Sequence, residues 1–141
     1  MGRLTGKRAI VLGAGNKGNM GQHIARRFLD EGAQVTVAGR KESVLAEFAE
    51  ANACHWAACD ITSAQSLAAM ADAAVAAMGG VDIAVNATGW GLLKPFLDAT
   101  REELDAMTDL QYIGPYQFFQ AMIRKMARSM GGRGGSIIQI S

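Results

Sequence analysis

Four glycines, at positions 13, 15, 18 and 21, stand between a short apolar run, residues 8–12 (RAIVL), and a helix-like run that begins at Met20. An apolar run that ends in glycine reads as a buried strand. The run after it places Ile24, Ala25, Phe28 and Leu29 on one face and Gln22, Arg26, Arg27 and Asp30 on the other, which is helical spacing. Strand, glycine-rich turn and helix N-terminus in that order make an anion site. The unpaired amides of the first helical turn point outward and the helix dipole favours negative charge. Glycines let the backbone approach a pyrophosphate. Glycine-rich turns of this kind also arise for purely geometric reasons.

The alternation continues along the chain. Strands are expected at 34–38 (QVTVA), 55–59, 81–86 (VDIAVN) and 136–140 (SIIQI). Helices are expected at 20–29, 43–51 and 64–78, with a long helical region from 100 to 130. Glu31-Gly32 stops the first helix, and residues 60–63 (DITS) form a turn that can cap the third. Apolar strands alternating with helices of this length predict an α/β fold. It is a doubly wound parallel sheet, Rossmann-like, with helices on both faces. Residues 1–141 read as one domain without repeats or low-complexity segments.

The long helical region carries Leu110, Tyr112, Ile113, Tyr116, Phe118, Phe119, Met122, Ile123, Met126 and Met130 around most of its cylinder. A helix apolar on several faces must be buried on several faces. One face is expected on the sheet and another on a partner, either further chain or another subunit. A homo-oligomer through the 110–130 helix is therefore expected. Gly114-Pro115 inside it predicts a kink, because proline removes a ladder bond and crowds the preceding turn.

The net charge of +1 gives no electrostatic case for a nucleic-acid partner. No apolar run reaches membrane-spanning length, so no membrane partner is expected. The N-terminus carries basic residues but runs straight into the first strand; no signal peptide is read, and a cytoplasmic location is expected. Cys54 and Cys59, five positions apart on an extended segment, point to opposite faces, which argues against a local disulfide. With His55 they fit no zinc spacing, and no metal site is expected.

The end of the second strand bears on the ligand. NAD-binding folds often place an acidic residue there to hold the ribose 2′-hydroxyl. This chain has Ala38-Gly39-Arg40-Lys41 instead. A cation in that place favours a 2′-phosphate, which guanidinium can bind through two hydrogen bonds. Lys17 could reach the same phosphate. Together these residues point to NADP(H) rather than NAD(H), although Arg40 and Lys41 also fit an ordinary solvated turn.

At this point the chain resembles the N-terminal part of a short-chain dehydrogenase/reductase over nearly all its length. Leu4-Thr5-Gly6-Lys7 resembles the lead-in to that family's first strand. Residues 13–21 resemble its cofactor loop, in the longer form of the enoyl-carrier-protein reductase branch. Cys59-Asp60-Ile61-Thr62 resembles the segment beside the adenine, Asn86-Ala87-Thr88-Gly89 its NNAG motif, and residues 135–141 (GSIIQIS) the strand that leads to the catalytic serine. No one piece is decisive, but five in the right order are a strong signal.

The resemblance implies that Gly13, Gly15, Asn16, Lys17, Gly18, Asn19, Met20 and Gly21 hold the cofactor. It implies that Asp60 bonds the adenine amino group, with Ile61 packed on the ring. Asn86 would brace the central strand and line the adenosine ribose, Gly89 would allow close approach, and Ala87 would bind the cofactor with them. Trp90 would stand near the nicotinamide end. Asp60 also fits a helix cap, Asn86 a satisfied buried amide, and Trp90 an ordinary packing residue. The expected protein is an NADP(H)-dependent oxidoreductase, a homotetramer, acting on a small-molecule substrate.

Two features depart from the family pattern. Gln111, in Gln111-Tyr112-Ile113-Gly114, occupies the place of the catalytic helix asparagine. Glutamine keeps the amide but adds a methylene. The chain also stops at Ser141 with no Tyr-x-x-x-Lys pair, since the positions four after Tyr112 and Tyr116 hold Tyr116 and Gln120. The expected account is that these are strands one to five of a larger sheet, in a longer reductase. The leading reading is hydride transfer between nicotinamide and a carbonyl/alcohol carbon. An enoyl-thioester reductase is the runner-up, and a non-catalytic NADP(H)-binding protein is the reading from another class.

Overall fold

The computed structural model describes residues 2–141. Five strands, β1 (Arg8–Leu12), β2 (Gln34–Gly39), β3 (His55–Ala58), β4 (Ile83–Asn86) and β5 (Ser136–Gln139), form one sheet in the order β3-β2-β1-β4-β5. Every pairing is parallel. The helices are α1 (Met20–Asp30), α2 (Glu42–Asn52), α3 (Ala64–Met78), α4 (Arg101–Thr108) and α5 (Gly114–Met126). The expected doubly wound α/β fold is thus observed.

Alternation along β1 explains the layers. Ile10 and Leu12 face a core that α3 and α5 complete with Leu67, Met70, Phe118 and Met122. Ala9 and Val11 face the other core, where α1 and α2 add Ala25, Leu45 and Phe48. A strand covered on both faces must be apolar at every position, and β1 is buried throughout after Arg8. Cys54 packs into one layer and Cys59 into the other. Burial pushes each thiol up to about 11.

The 100–130 region is not one kinked helix. Thr100 and Glu103 open α4 with a reciprocal capping box. The ladder then widens into a π turn, Asp109–Ile113, in which the Gly114 amide bonds the Asp109 carbonyl five residues back. The cause lies at Pro115. An α-ladder would need its N–H for the Gln111 carbonyl, and proline has none. Placed in the first turn of α5, Pro115 costs no bond. Gly114 is required because a Cβ there would meet the Ile61 carbonyl at 2.8 Å. The helix ends at Met126, and Met130 belongs to a separate 3-10 turn.

At the amino ends of the strands sits the buried carboxylate of Asp82, just before β4, which begins two residues later than expected. It accepts from the Arg8 amide at 3.0 Å, from Arg8 Nε at 2.9 Å and from Arg133 Nη2 at 2.9 Å. These bonds join β1, β4 and the turn before β5. The Arg8 guanidinium chiefly, with Arg133 second, holds the Asp82 carboxyl well below the usual carboxylate range.

Candidate functional site

All five strands run the same way, so their carboxyl ends share one rim. The connections from β1 and β4 leave toward opposite faces, and a crevice opens where they part. A cleft of about 570 Å³ lies there. Gly13, Gly15, Asn16 and Asn19 line it after β1, and Gly39, Arg40 and Lys41 after β2. Cys59, Asp60, Ile61 and Thr62 follow β3, and Ala87, Thr88, Gly89 and Trp90 follow β4. Ala106 and Leu110 complete the wall.

The glycine loop is held rigidly. Gly13 has φ +101°, and a Cβ there would stand 2.6 Å from the Ala87 carbonyl, so only glycine lets the two loops pass. Asn19 is the N-cap of α1. Its Oδ1 accepts from the Gln22 amide at 3.0 Å and its Nδ2 donates to the Gly13 carbonyl at 2.8 Å. Gln22, expected on the polar face of α1, is instead buried. Its Oε1 accepts from the Gly18 amide at 2.9 Å and its Nε2 donates to the Ala14 carbonyl at 3.0 Å. A loop against the core needs partners for its backbone groups, and the Gln22 amide supplies both kinds. Its position just inside the helix, next to the glycines, was the available signal.

Gly18, Met20 and Gly21 are not part of the cleft lining, and Gly18 and Met20 are exposed. The Met20 and Gly21 amides, at the start of the 11-residue α1, make no hydrogen bond among the described residues. Lys17 turns away from the cleft, with Nζ 2.8 Å from Glu47 Oε1. Lys41 lines the cleft and donates to Asn16 Oδ1 at 2.6 Å. Arg40 lines it with no side-chain hydrogen bond or ion pair among the described residues.

Asp60 does not cap α3. Ser63 does, accepting from the Ser66 amide at 3.1 Å. Asp60 Oδ1 instead accepts from the Thr62 hydroxyl at 2.7 Å and the Thr62 amide at 2.9 Å. These bonds hold the carboxyl below its ordinary range, with a smaller push from the Arg40 charge. Its Oδ2 has no partner among the described residues.

Asn86 is fully buried and outside the lining. It donates to Gln139 Oε1 at 2.9 Å and accepts from the Thr88 amide and hydroxyl, so it braces β4 against β5 and shapes the loop. Gln111 Nε2 donates to the Trp90 carbonyl at 2.6 Å, tying the π turn to that loop. Beyond the cleft, Leu93, Phe96 and Leu97 are each more than nine-tenths exposed. Tyr112, Tyr116 and Ile123 are also exposed along the π turn and α5.

The cleft fits an anionic dinucleotide on its own chemistry. Unpaired helix amides adjoin one wall, two cations stand at the end of β2, a free carboxylate oxygen and an apolar side chain follow β3, and glycines leave the floor open. The donor set suits phosphates and one purine edge.

Comparison with known proteins agrees. The family described as "Enoyl-(Acyl carrier protein) reductase" matches residues 13–141. The 7alpha-hydroxysteroid dehydrogenase of Escherichia coli (strain K12) is 37% identical over 138 residues, covering 92% of this chain and 52% of that protein. A crystal structure of a short-chain type dehydrogenase/reductase from Mycobacterium marinum superimposes with a TM-score of 0.88 at 33% identity, over 96% of this chain and 56% of the other. A short chain dehydrogenase from Mycobacterium smegmatis gives 0.91 at 29% identity, over 99% and 59%. The chain spans about half the length of these relatives. Five parallel strands, a glycine loop at the switch point and this agreement over the whole chain lead to one conclusion: the protein belongs to the short-chain dehydrogenase/reductase family.

Proposed function

We propose that these 141 residues are the NADP(H)-binding part of an oxidoreductase that moves hydride between nicotinamide and a carbonyl/alcohol carbon of a small molecule. The observation that carries the cofactor choice is the corner after β2, where Arg40 and Lys41 line the cleft and no acid stands. The bound nicotinamide would supply or accept the hydride. Gly13, Gly15 and Asn16 would face the pyrophosphate, with the amides of Met20 and Gly21 at the helix terminus drawing its charge. Arg40 would meet the 2′-phosphate. Asp60 Oδ2 would accept from the adenine amino group, with Ile61 against the ring. Ala87 and Gly89 would lie along the nucleotide, and Asn86 supports them from behind. Gln111 fixes Trp90 and so shapes the substrate end. That bond uses one N–H of its amide and supports a positioning role for Gln111.

Proton transfer needs an acid that these residues do not include, since neither tyrosine is followed four positions on by lysine. One observation favours a second reading. The matched family is described by enoyl reduction, and the long glycine loop agrees with it. A Tyr-x-x-x-Lys pair in the full protein would support carbonyl reduction, and a six-residue separation the enoyl reaction. The exposed stripe of Tyr112, Tyr116 and Ile123 supports a homo-oligomer formed through this helix. A cytoplasmic location is consistent with the absence, among the described residues, of any helix long and apolar enough to cross a membrane.

The test is a pair of dissociation constants, for NADPH and NADH. The protein should prefer NADPH, and Arg40→Asp should reduce the preference tenfold or more, about 1.4 kcal/mol. Equal affinity for both cofactors refutes the 2′-phosphate reading. Tight NADPH binding by the full-length protein without turnover on any carbonyl or enoyl substrate would replace the enzyme with a non-catalytic binding protein.

A further inference from the structure

Two contacts clasp the glycine loop to the corner that follows β2. Lys41 Nζ donates to Asn16 Oδ1 at 2.6 Å, and Lys17 Nζ pairs with Glu47 Oε1 at 2.8 Å. Asn16 lines the cleft, and Lys17 is its neighbour in the chain. Glu47 lies on α2, one and a half turns beyond the Arg40-Lys41 corner. Of the three cations at this corner, then, only Arg40 has no side-chain partner among the described residues. Lys17 is matched with a full negative charge.

We propose that Glu47 is a specificity-determining residue which competes with the cofactor's 2′-phosphate for Lys17, and so sets how strongly NADPH is preferred over NADH. This rests on the NADP(H) reading above. Lys17 stands outside the cleft lining while it pairs with Glu47; a 2′-phosphate carries one to two negative charges and would draw the flexible lysine back toward the cleft against that pairing. The competition is modest, because the Lys17 and Glu47 side chains are 69% and 63% exposed and water screens the pair. A 2′-hydroxyl is neutral, so NADH affinity does not depend on which anion holds Lys17.

The experiment is titration of the protein and its Glu47→Gln variant with NADPH and with NADH, at low and high ionic strength. Glutamine keeps the size and the hydrogen-bonding oxygen but removes the charge. The expected result is NADPH binding about two- to fivefold tighter in E47Q, the range of an exposed ion pair. NADH binding should be unchanged, and the gain should shrink as salt rises. In a Lys17→Met background the same glutamine substitution should do nothing, because the contested cation is gone. If the protein prefers NADPH but E47Q leaves that affinity unchanged or weaker, this proposal fails while the cofactor reading stands. If the unmutated protein binds both cofactors equally, the cofactor reading fails and takes this proposal with it.

Discussion

The Asp82 carboxylate is the point where the sheet can be tested most sharply. Its side chain is 7% exposed, that of Arg8 15% and that of Arg133 62%. The two arginines therefore differ in what they contribute. Asp82→Asn keeps the shape and an acceptor for the Arg8 amide but removes the charge, leaving the Arg8 guanidinium near-buried without a counter-ion. Breaking a buried pair costs about 3–5 kcal/mol, and the residual exposure of Arg8 places the expectation near the lower figure. Arg133→Ala removes an exposed partner and should cost about 0–1 kcal/mol. With a urea slope of about 1.5–2 kcal/mol/M, the Asp82→Asn midpoint should fall by about 1.5–2 M with the slope unchanged. The sign with pH follows from the depressed carboxyl. Its stabilisation is fully present above the unfolded value of about 4 and is lost as pH falls through the lower folded value. The gap between the two proteins should therefore be constant from pH 7 to 5 and close below about 4. A gap that persists unchanged at pH 3, or an Arg133→Ala loss as large as that of Asp82→Asn, would refute the assignment.

Two further outcomes follow from the site. Gly13→Ala puts a Cβ 2.6 Å from the Ala87 carbonyl at φ +101°, so it should cost at least about 1–2 kcal/mol of stability and weaken both cofactors alike, read by thermal shift and titration. With Cys54 and Cys59 thiols at about 11, labelling by a disulfide reagent at pH 8 should be slow, and its rate should rise about tenfold per pH unit toward that value. A rate that levels off below pH 9 would show a thiol in a different environment.

Much of the fold was legible because it follows from local periodicity. The RAIVL run before Gly13 carries the signal of a buried strand, and α3 was read to its ends because alanine and leucine spacing agree with the Ser63 cap. The cleft lining was legible where a residue is required by its own backbone, as at Gly13, or by its place at a strand end, as at Arg40, while Asp60 was placed there only by the family resemblance. Gln22 was misplaced because its polarity suits a solvated face equally well, and only the loop folded over it shows otherwise. The 100–130 region was read as continuous because apolar spacing hardly distinguishes an α ladder from one interrupted by a π turn. The proline signal was present, and its consequence was larger than a bend.

The chain's own pattern, then, determined the strands, the first three helices, their alternation and the rim on which a ligand site must lie, because each depends on backbone geometry and on side chains a few residues apart. Tertiary structure decided which polar groups meet. Lys17 finds Glu47 across 30 residues, and Arg8 finds Asp82 across 74. Such pairs are set by sheet register and helix packing, so no local spacing carries them. That is the physical reason why a lysine which the sequence offers to a phosphate is, in the folded chain, already held by a carboxylate.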